Sequence, residues 1–318
     1  GCGGAQSLLR LLKKYQVIDQ IFILRRSTRM IPKAIISRST SRFSLKPIWE
    51  LYRIIQEKNI QVLHCHLRRS LLIGILISFF CRVQIIFHEH GSIHNGSMIY
   101  RWLIRTLRRR IHALIAVSQD TKNALVEIGV PETSITVIPN CIDPGFFSAR
   151  YRQGKSPIEV GIVGRLTHQK GIDTFLKVLP RMKHVHCTIV GSGEDETKLK
   201  YMARTLPVRF LGYRSDMKKV YAKFDVLVVP SRWESFCITA IEAQAMGIPV
   251  IAHDIPVMRE IGGGSYILYK SPDQLPHIFN TQAWDSEEIR QRGIENAKGY
   301  TVKKYANRLK SFYSRFFA

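Results

Sequence analysis

Two basic side chains and several glycines follow an apolar run near the middle of the chain, in the segment Val160-Gly-Ile-Val-Gly-Arg-Leu-Thr-His-Gln-Lys-Gly-Ile-Asp. The pattern predicts a strand that ends at Gly164 and a helix that begins near Gly171. Arg165 and Lys170 then lie in the loop before a helix N-terminus, where free N–H groups and the helix dipole add to their charges. The segment predicts an anion-binding site, and a solvated turn with ordinary surface charges is the alternative.

Two glutamates surround the start of another predicted helix. An apolar run ends at Pro230, Glu234 follows in a loop, and Glu242 lies inside a helix that ends at Met246-Gly-Ile-Pro, a sequence typical of a helix stop. Both carboxylates can face a crevice at the edge of a sheet and accept hydrogen bonds from ligand hydroxyls. The alternatives are a helix cap for Glu234 and an exposed helical charge for Glu242.

Histidines cluster in the N-terminal half of the sequence. His88 and His90 end a predicted strand, where histidines are often satisfied by neighbouring carbonyl groups. Their two-residue spacing, with His64, His66 and His94 elsewhere, also permits a metal site. No carboxylate or cysteine completes a recognisable ligand set, so we predict that no metal is bound.

These residues depend on a chain that alternates apolar strands with amphipathic helices. The candidate strands are 61–66, 84–88, 113–117, 136–139, 159–163, 186–190, 208–211, 226–230 and 249–252, and the candidate helices are 48–58, 70–80, 99–110, 119–128, 172–182, 196–205, 216–224 and 239–246. Apolar strands separated by helices indicate βαβ units and parallel sheets covered on both faces. Ligands bind beyond the carboxyl ends of such strands, where the candidate residues lie.

A polar, turn-rich stretch between Asn140 and Pro157 divides the chain into halves of similar size. We predict one domain over 1–148, onto which a C-terminal helix at 301–318 packs back, and a second over 149–300. The chain opens on Gly1-Cys-Gly-Gly and runs into a periodic helix. Because a glycine-rich turn entering a helix usually follows a strand, we expect the first strand of the N-terminal domain to be missing.

The two central segments together resemble the retaining nucleotide-sugar glycosyltransferases of the GT-B fold, the family 4 type also called glycosyl transferases group 1. The residues that carry the resemblance are Gly164, Arg165, Leu166, Lys170, Gly171, Glu234 and Glu242. Weaker matches are Gly3-Gly4-Ala5, His90 in His-Glu-His-Gly, Val117-Ser118, Ile138-Pro-Asn-Cys-Ile-Asp and Val190-Gly-Ser-Gly. The resemblance implies an α/β fold of two Rossmann-like domains facing a central cleft, the first domain on the acceptor side and the second binding the nucleotide sugar.

The resemblance also implies a reaction, the transfer of a hexose from a nucleotide-diphosphate donor to a hydroxyl acceptor without metal or cofactor. Arg165 and Lys170 would neutralise the diphosphate, Glu242 would hold the ribose, and Glu234 would hold the donor sugar. The remaining roles are those of backbone N–H groups at the distal phosphate (Ser235, Phe236, Cys237, Ile238), of glycines lining the donor site (Gly3, Gly4, Gly164), and of a side chain that contacts the donor sugar near the reacting carbon from the opposite domain (His90). Preorganised cations and amides can stabilise the charge that develops on a departing diphosphate.

Two cysteines depart from the family pattern. Cys237 and Cys141 stand where the family usually has glycine. If either position requires a positive φ or a close backbone approach to phosphate, we expect the side chain to strain it and to weaken binding.

The composition points to an acidic partner, because the net charge is +24. The stretch 100–111 places Arg101, Arg105, Arg108 and Arg109 at helical spacings, which predicts an interfacial helix on anionic lipid, with a solvated helix face as the alternative. The apolar run 71–81 is too short to span a bilayer and predicts a buried helix. Basic-aromatic signatures of nucleic-acid binding are absent from the sequence, so we predict no nucleic-acid partner.

Scattered cysteines and the lack of an export signal predict a cytoplasmic protein, peripheral on the inner face of the plasma membrane. We expect a role in bacterial cell-surface polysaccharide or lipopolysaccharide synthesis, with a carbohydrate or lipid-linked acceptor. The competing hypotheses are a related GT-B sugar-nucleotide enzyme such as an epimerase, a basic nucleic-acid-binding protein, and an inactive fragment.

Overall fold

A computed structural model of the protein describes residues 4–16, 22–23, 35–36, 45–91, 98–148 and 156–317. The chain forms two compact units, one comprising Cys2–Asn140 with Tyr305–Ala318 and the other Cys141–Lys304. We call them the N-terminal and the C-terminal unit. The domain bounds of 1–148 and 149–300 stay predictions from the sequence.

The N-terminal unit is built on a parallel sheet in the order β3-β4-β5-β6. Its strands and helices are α1 (Gly4–Lys14), β1 (Phe22–Ile23), β2 (Ile35–Ile36), α2 (Lys46–Glu57), β3 (Val62–His66), α3 (Arg68–Ile77), β4 (Gln84–Glu89), α4 (Met98–Leu107), β5 (Ala113–Ala116), α5 (Gln119–Glu127) and β6 (Ile135–Val137). The core of this unit includes the contact between the sheet and α3, where Ile85 and Phe87 of β4 are fully buried beside Leu71. β1 and β2 pair separately and in parallel.

α3 is only half buried, which corrects the prediction of a buried helix at 71–81. Leu71, Gly74 and Ile75 face the core, whereas Leu72 and Leu76 are more than 40% exposed. Just beyond the helix, Phe79, Phe80 and the neighbouring Arg82 are exposed as well. The physical reason is that α3 covers one side of the sheet and the described residues place no element over its outer face.

The C-terminal unit has a six-stranded parallel sheet in the order β9-β8-β7-β10-β11-β12. Its elements are β7 (Ile158–Val163), α6 (Ile172–Val178), β8 (Val185–Val190), α7 (Glu196–Met202), β9 (Val208–Phe210), α8 (Met217–Tyr221), β10 (Val226–Val229), α9 (Ile238–Ala245), β11 (Val250–His253), α10 (Pro256–Gly262), β12 (Ile267–Tyr269), α11 (Leu275–Thr281), α12 (Glu287–Ala297) and the start of α13 (Val302–Phe317). The rest of α13 lies in the N-terminal unit, where Tyr305, Leu309 and Phe312 are buried.

The strand order fixes where a ligand can bind. The chain runs from β7 outward to β8 and β9, then returns to place β10 on the other side of β7. The loops that leave β7 and β10 therefore diverge from adjacent strands, and such a switch point leaves a crevice at the carboxyl ends of a parallel sheet. Of the two segments singled out in the sequence, 164–171 lies in the first of these loops, and 234–242 begins in the second and continues into α9.

The alternation of strands and helices predicted up to residue 252 is confirmed, with element ends shifted by a few residues. The elements that the sequence did not predict are β1, β2, β12 and the helices α10, α11 and α12. β12 is a three-residue strand, too short for a periodic signal. Among the described residues, no helix is long and apolar enough to cross a membrane.

Candidate functional site

The loop that follows β7 is held in place by backbone hydrogen bonds to the loop that follows β8. Gly164 N donates to Val190 O at 3.0 Å, and Leu166 N donates to Ser192 O at 3.1 Å. A side chain at Gly191 is excluded because its Cβ would lie 1.8 Å from the carbonyl oxygen of Gly164. The loop of residues 164–171 is therefore held on one side by the Gly-Ser-Gly segment that follows β8.

From the other side, an ion pair connects this loop to the loop after β10. Lys170 Nζ lies 2.5 Å from Glu234 Oε1, and the side chains are 16% and 5% exposed. Ser231 Oγ donates to the same carboxylate oxygen at 2.7 Å. Breaking a buried pair by removing one partner leaves an uncompensated charge, which typically costs about 3–5 kcal/mol.

The positive charge of Lys170 is maintained by its partner. Burial acts to lower the pKa of the Lys170 ammonium, but the Glu234 carboxylate and its hydrogen bond act in the opposite direction and the pKa is raised. Lys170 is therefore cationic at neutral pH. The glycine at 164 makes room for it, since a Cβ there would lie 3.1 Å from Lys170 Cε.

Backbone contacts bring the same two loops together. Gly171 has φ of +62°, and a Cβ at this position would lie 2.0 Å from Pro230 O. Arg232 N donates to Gln169 O at 2.8 Å, and Gln169 Nε2 donates to Trp233 O at 3.0 Å. Only glycine combines this φ with so close an approach.

A second, bidentate ion pair fastens the outer part of the junction. The guanidinium of Arg232 donates to the two carboxylate oxygens of Asp173 at 2.9 and 2.8 Å. It also donates to His168 O at 2.7 Å. These hydrogen bonds hold the pKa of Asp173 below its usual value. Fork-to-fork pairs of this kind fix orientation as well as distance.

Glu242 lies on α9 and faces Tyr221 of α8, so it is not the exposed helical charge considered as an alternative. Tyr221 Oη donates to Glu242 Oε2 at 2.9 Å and to Thr239 O at 3.2 Å. Burial raises the pKa of Glu242 to about 7, although the Tyr221 hydrogen bond acts to lower it. The carboxyl group is thus close to half-ionised at neutral pH.

The start of α9 carries no side-chain cap. Cys237 is its N-cap residue, with φ −98° and ψ 84°, and its Sγ lies 3.3 Å from Thr239 Oγ1. Glu234 is therefore not the cap of this helix. Neither cysteine is among the described residues with positive φ, so that condition for backbone strain is not met, and the condition of a close approach to phosphate stays a prediction.

The structure brings some of the predicted residues together and leaves others apart. Gly164, Lys170 and Glu234 are in contact. Arg165 is exposed at the loop's edge, where its Nη2 donates to Gln169 Oε1 at 3.4 Å. The residues at the start of α9 range from buried to half-buried (Ser235, Phe236, Cys237, Ile238).

The remaining predicted residues belong to the other end of the chain. Gly4 opens α1, and Gly3 lies outside the described residues, as does His94. His90 follows β4 in the N-terminal unit, where its Nε2 is 2.9 Å from His66 Nδ1. His88 does not bond to neighbouring carbonyls, contrary to the alternative considered from sequence, because neither of its ring nitrogens has a partner in the described structure.

Several side chains in the site were not predicted from the sequence, among them both members of the Arg232–Asp173 pair. Ser231, Gln169 and Tyr221 each bond to a predicted residue or its loop. The position of Ser231 directly after an apolar run is a signal that could have found it. Tyr221 lies in a different helix from Glu242, and its contact depends on how α8 packs against α9.

The comparisons with known proteins agree with this architecture. Residues 157–278 match the family model Glycosyl transferases group 1, and residues 12–146 match the family model Glycosyltransferase Family 4. The uncharacterized glycosyltransferase MJ1607 of Methanocaldococcus jannaschii is 30% identical over 289 residues, which is 77% of this chain and 71% of that protein. The chain belongs to this glycosyltransferase family.

Other relatives of this glycosyltransferase differ in identity and in the share of the chain that matches. The O-antigen biosynthesis glycosyltransferase WbnH of Escherichia coli is 24% identical over 85% of this chain and 81% of that protein. Among further curated relatives the chain spans 62% of one protein's length and 47% of another's. In the fold comparison, Anabaena Alr3699/HepE in complex with UDP-glucose superposes with a TM-score of 0.85 and 20% identity, covering 99% of this chain and 97% of that chain. The fold of two parallel sheets is thus that of GT-B glycosyltransferases.

The close approach of the two loops at Gly171 leads to a testable prediction. We expect Gly171→Ala to lower the free energy of unfolding by about 1–3 kcal/mol more than Gly212→Ala, because it must displace the Pro230 carbonyl. Gly212 is a matched control, since it has the same φ of +62° and no atom within 4 Å of an added Cβ. Urea unfolding of both variants measures the difference, and equal losses would contradict the close approach.

Proposed function

We propose that this glycosyltransferase moves a hexose from a nucleotide-diphosphate donor to a hydroxyl acceptor with retention of configuration at the anomeric carbon. The observation that carries the proposal is the Lys170–Glu234 pair at the switch point between β7 and β10. It puts a fixed cation and a fixed carboxylate side by side where parallel sheets bind ligands. A nucleotide sugar needs both, because its diphosphate is anionic and its sugar and ribose carry hydroxyl donors.

In this proposal the leaving group is stabilised by the loop after β7 and the start of α9. When the bond between the anomeric carbon and the diphosphate oxygen breaks, negative charge develops on the diphosphate. Lys170 and Arg165 supply positive charge, and the uncapped N-terminus of α9 supplies backbone N–H groups from residues 235–238. We propose that these groups serve in place of a metal ion at the diphosphate.

The acidic side chains divide the hydroxyl groups of the donor between them. Glu242 binds the ribose and Glu234 binds the sugar, while the acceptor hydroxyl passes its proton to the departing diphosphate oxygen as its own oxygen bonds to the anomeric carbon. For His90 and Gly4 the roles predicted from sequence are kept as proposals. The complex of HepE with UDP-glucose supports a nucleotide-sugar donor, and the O-antigen role of WbnH supports a bacterial surface polysaccharide or lipopolysaccharide as product.

We also propose that the protein works at an anionic membrane surface. Four exposed apolar side chains of α3 and the turn after it, Leu72, Leu76, Phe79 and Phe80, form what we call the α3 apolar face. Arg110 lies over the Phe79 ring at 4.1 Å, so cationic and apolar groups meet on one surface. Such a combination suits the headgroup region of an anionic bilayer, where lipid-linked acceptors are found.

The roles of the two glutamates are separable by comparing UDP with UDP-glucose. Glu242→Ala should weaken both ligands, since both contain the ribose, whereas Glu234→Gln should weaken UDP-glucose more than UDP, because UDP lacks the sugar and depends on Glu234 only through the position of Lys170. A lost hydrogen bond to a charged group corresponds to about 1.5–3 kcal/mol, or roughly 10–100-fold in Kd. Isothermal titration calorimetry measures both ligands, after a thermal-shift screen of UDP-, GDP- and ADP-sugars selects the base.

The control for this comparison is Glu288→Ala, which removes an exposed helical glutamate of α12. It should leave both affinities unchanged. Equal effects of Glu234→Gln on UDP and UDP-glucose, or no effect of Glu242→Ala on either, would count against the proposed site.

The raised pKa of Glu242 gives the donor affinity a pH dependence. The folded pKa of about 7 exceeds the ordinary 4.5, so this group's contribution to stability is greatest below pH 4.5 and is lost as the pH rises through 7. Binding has the opposite sign, because ribose hydroxyls donate to the ionised carboxylate. We expect the affinity for UDP-glucose to fall by up to about tenfold per pH unit below 7.

UDP-glucose is the right ligand for this measurement, since it has no terminal phosphate that titrates near pH 6. Calorimetric titrations between pH 5.5 and 8 measure the slope. Glu242→Gln should bind more weakly and show a flatter profile, and an unchanged slope in this variant would assign the pH dependence to another group.

Membrane binding is tested by flotation with vesicles of phosphatidylglycerol and phosphatidylcholine. The double variant Phe79→Ser/Phe80→Ser should bind about tenfold more weakly or worse, since each buried phenylalanine contributes about 1.5–3 kcal/mol. Tyr201→Ser is a matched control, because Tyr201 is 67% exposed in the C-terminal unit and lies under Arg204 at 4.4 Å. Equal binding by wild type and the double variant would contradict a membrane role for the α3 apolar face.

A further inference from the structure

Four histidines share one face of the N-terminal sheet at its carboxyl edge. His66 of β3 is the register partner of His88 of β4. His64 precedes His66 by two residues, and His90 follows His88 by two, so the strand period puts all four rings on the same side. The rings stack at centroid distances of 4.4 Å for His64 and His66 and 4.2 Å for His88 and His90.

One ring nitrogen from each of His64, His66 and His88 lies within 4.8 Å of the other two. Both ring nitrogens of His88 and the Nε2 of His64 are buried without a hydrogen-bond partner in the described structure. A buried polar atom without a partner typically costs about 1–3 kcal/mol, so this arrangement is costly unless a ligand uses the nitrogens.

In place of the sequence-based prediction that no metal is bound, we propose that His64, His66 and His88 bind a divalent transition-metal ion, for which zinc is the best fit. Imidazole nitrogen suits zinc, whereas magnesium and calcium require oxygen ligands, and none belongs to this set. Three protein ligands leave a fourth position open for water. Zn–N bonds of about 2.0–2.1 Å require the nitrogens to draw in by roughly an ångström from their present separation.

Two further contacts fix which nitrogens face the metal. Tyr313 Oη lies 2.6 Å from His64 Nδ1, and His90 Nε2 lies 2.9 Å from His66 Nδ1. If each Nδ1 carries the proton and donates to its partner, both Nε2 atoms keep their lone pairs for the metal. Hydrogen bonds of this kind from the second nitrogen are the usual support of metal-bound histidines. The metal would also orient His90 through His66.

The test uses the full chain without a histidine tag, stripped with a chelator and titrated with ZnCl₂. We expect one saturable equivalent by calorimetry, a rise in Tm, and tetrahedral visible absorption when Co²⁺ replaces zinc. His88→Gln should abolish saturable binding, and Tyr313→Phe should weaken it by about 10–100-fold. His277→Gln, an exposed histidine of α11, is the matched control and should bind as the wild type does.

The same titration can overturn the proposal. The absence of a saturable site in the wild type, or equal binding by His88→Gln and His277→Gln, would contradict it. His64→Gln serves as a second ligand variant in case His88→Gln does not fold, and unaltered zinc binding by it would be equally decisive. UDP-glucose affinity, measured before and after chelation, separates this result from the proposed transferase function, which needs no metal at the diphosphate.

Discussion

The site depends on one contact, the ion pair between Lys170 and Glu234 across two loops that leave adjacent strands. Opposite charges at 2.5 Å with little solvent exposure hold each other in a single geometry, and each loses its compensation if the other is removed. Gly171 lets the first loop approach Pro230, and Gly191 lets the loop after β8 approach Gly164, so both glycines help to position the pair. The ion pair and the backbone conformation of the two loops therefore act together to form the site.

The sheet topology explains why the contact lies where it does. A parallel sheet in the order β9-β8-β7-β10-β11-β12 reverses its winding between β7 and β10, and the two loops frame the resulting crevice. A preorganised cation in such a crevice does not have to be reoriented when charge develops on a ligand, which is the physical basis of electrostatic catalysis. Glu242 adds a second acidic group whose ionisation is adjusted by burial and by Tyr221.

Much of this architecture could be predicted from local sequence. Strands β7 and β8 are mostly apolar and β10 is a continuous apolar run, and Lys170, Glu234 and Glu242 stand at fixed offsets from β7 and β10. The Tyr221–Glu242 hydrogen bond could not, because it depends on the packing of α8 against α9. The exposed outer face of α3 could not be predicted either, because an apolar run does not reveal which side of the helix lacks a covering element. The placement of four histidines on one face of the N-terminal sheet could not be predicted either. It depends on the register of β3 against β4, which residue spacing alone does not give.

A double-mutant cycle on Lys170→Met and Glu234→Gln, followed by the Kd for UDP-glucose, tests the central claim most directly. If the pair builds the site as a unit, the two losses in binding free energy are not additive, and the coupling is about 0.5–3 kcal/mol. Losses that add within about 0.3–0.5 kcal/mol would show that the two side chains act independently, and the account of the site would be contradicted.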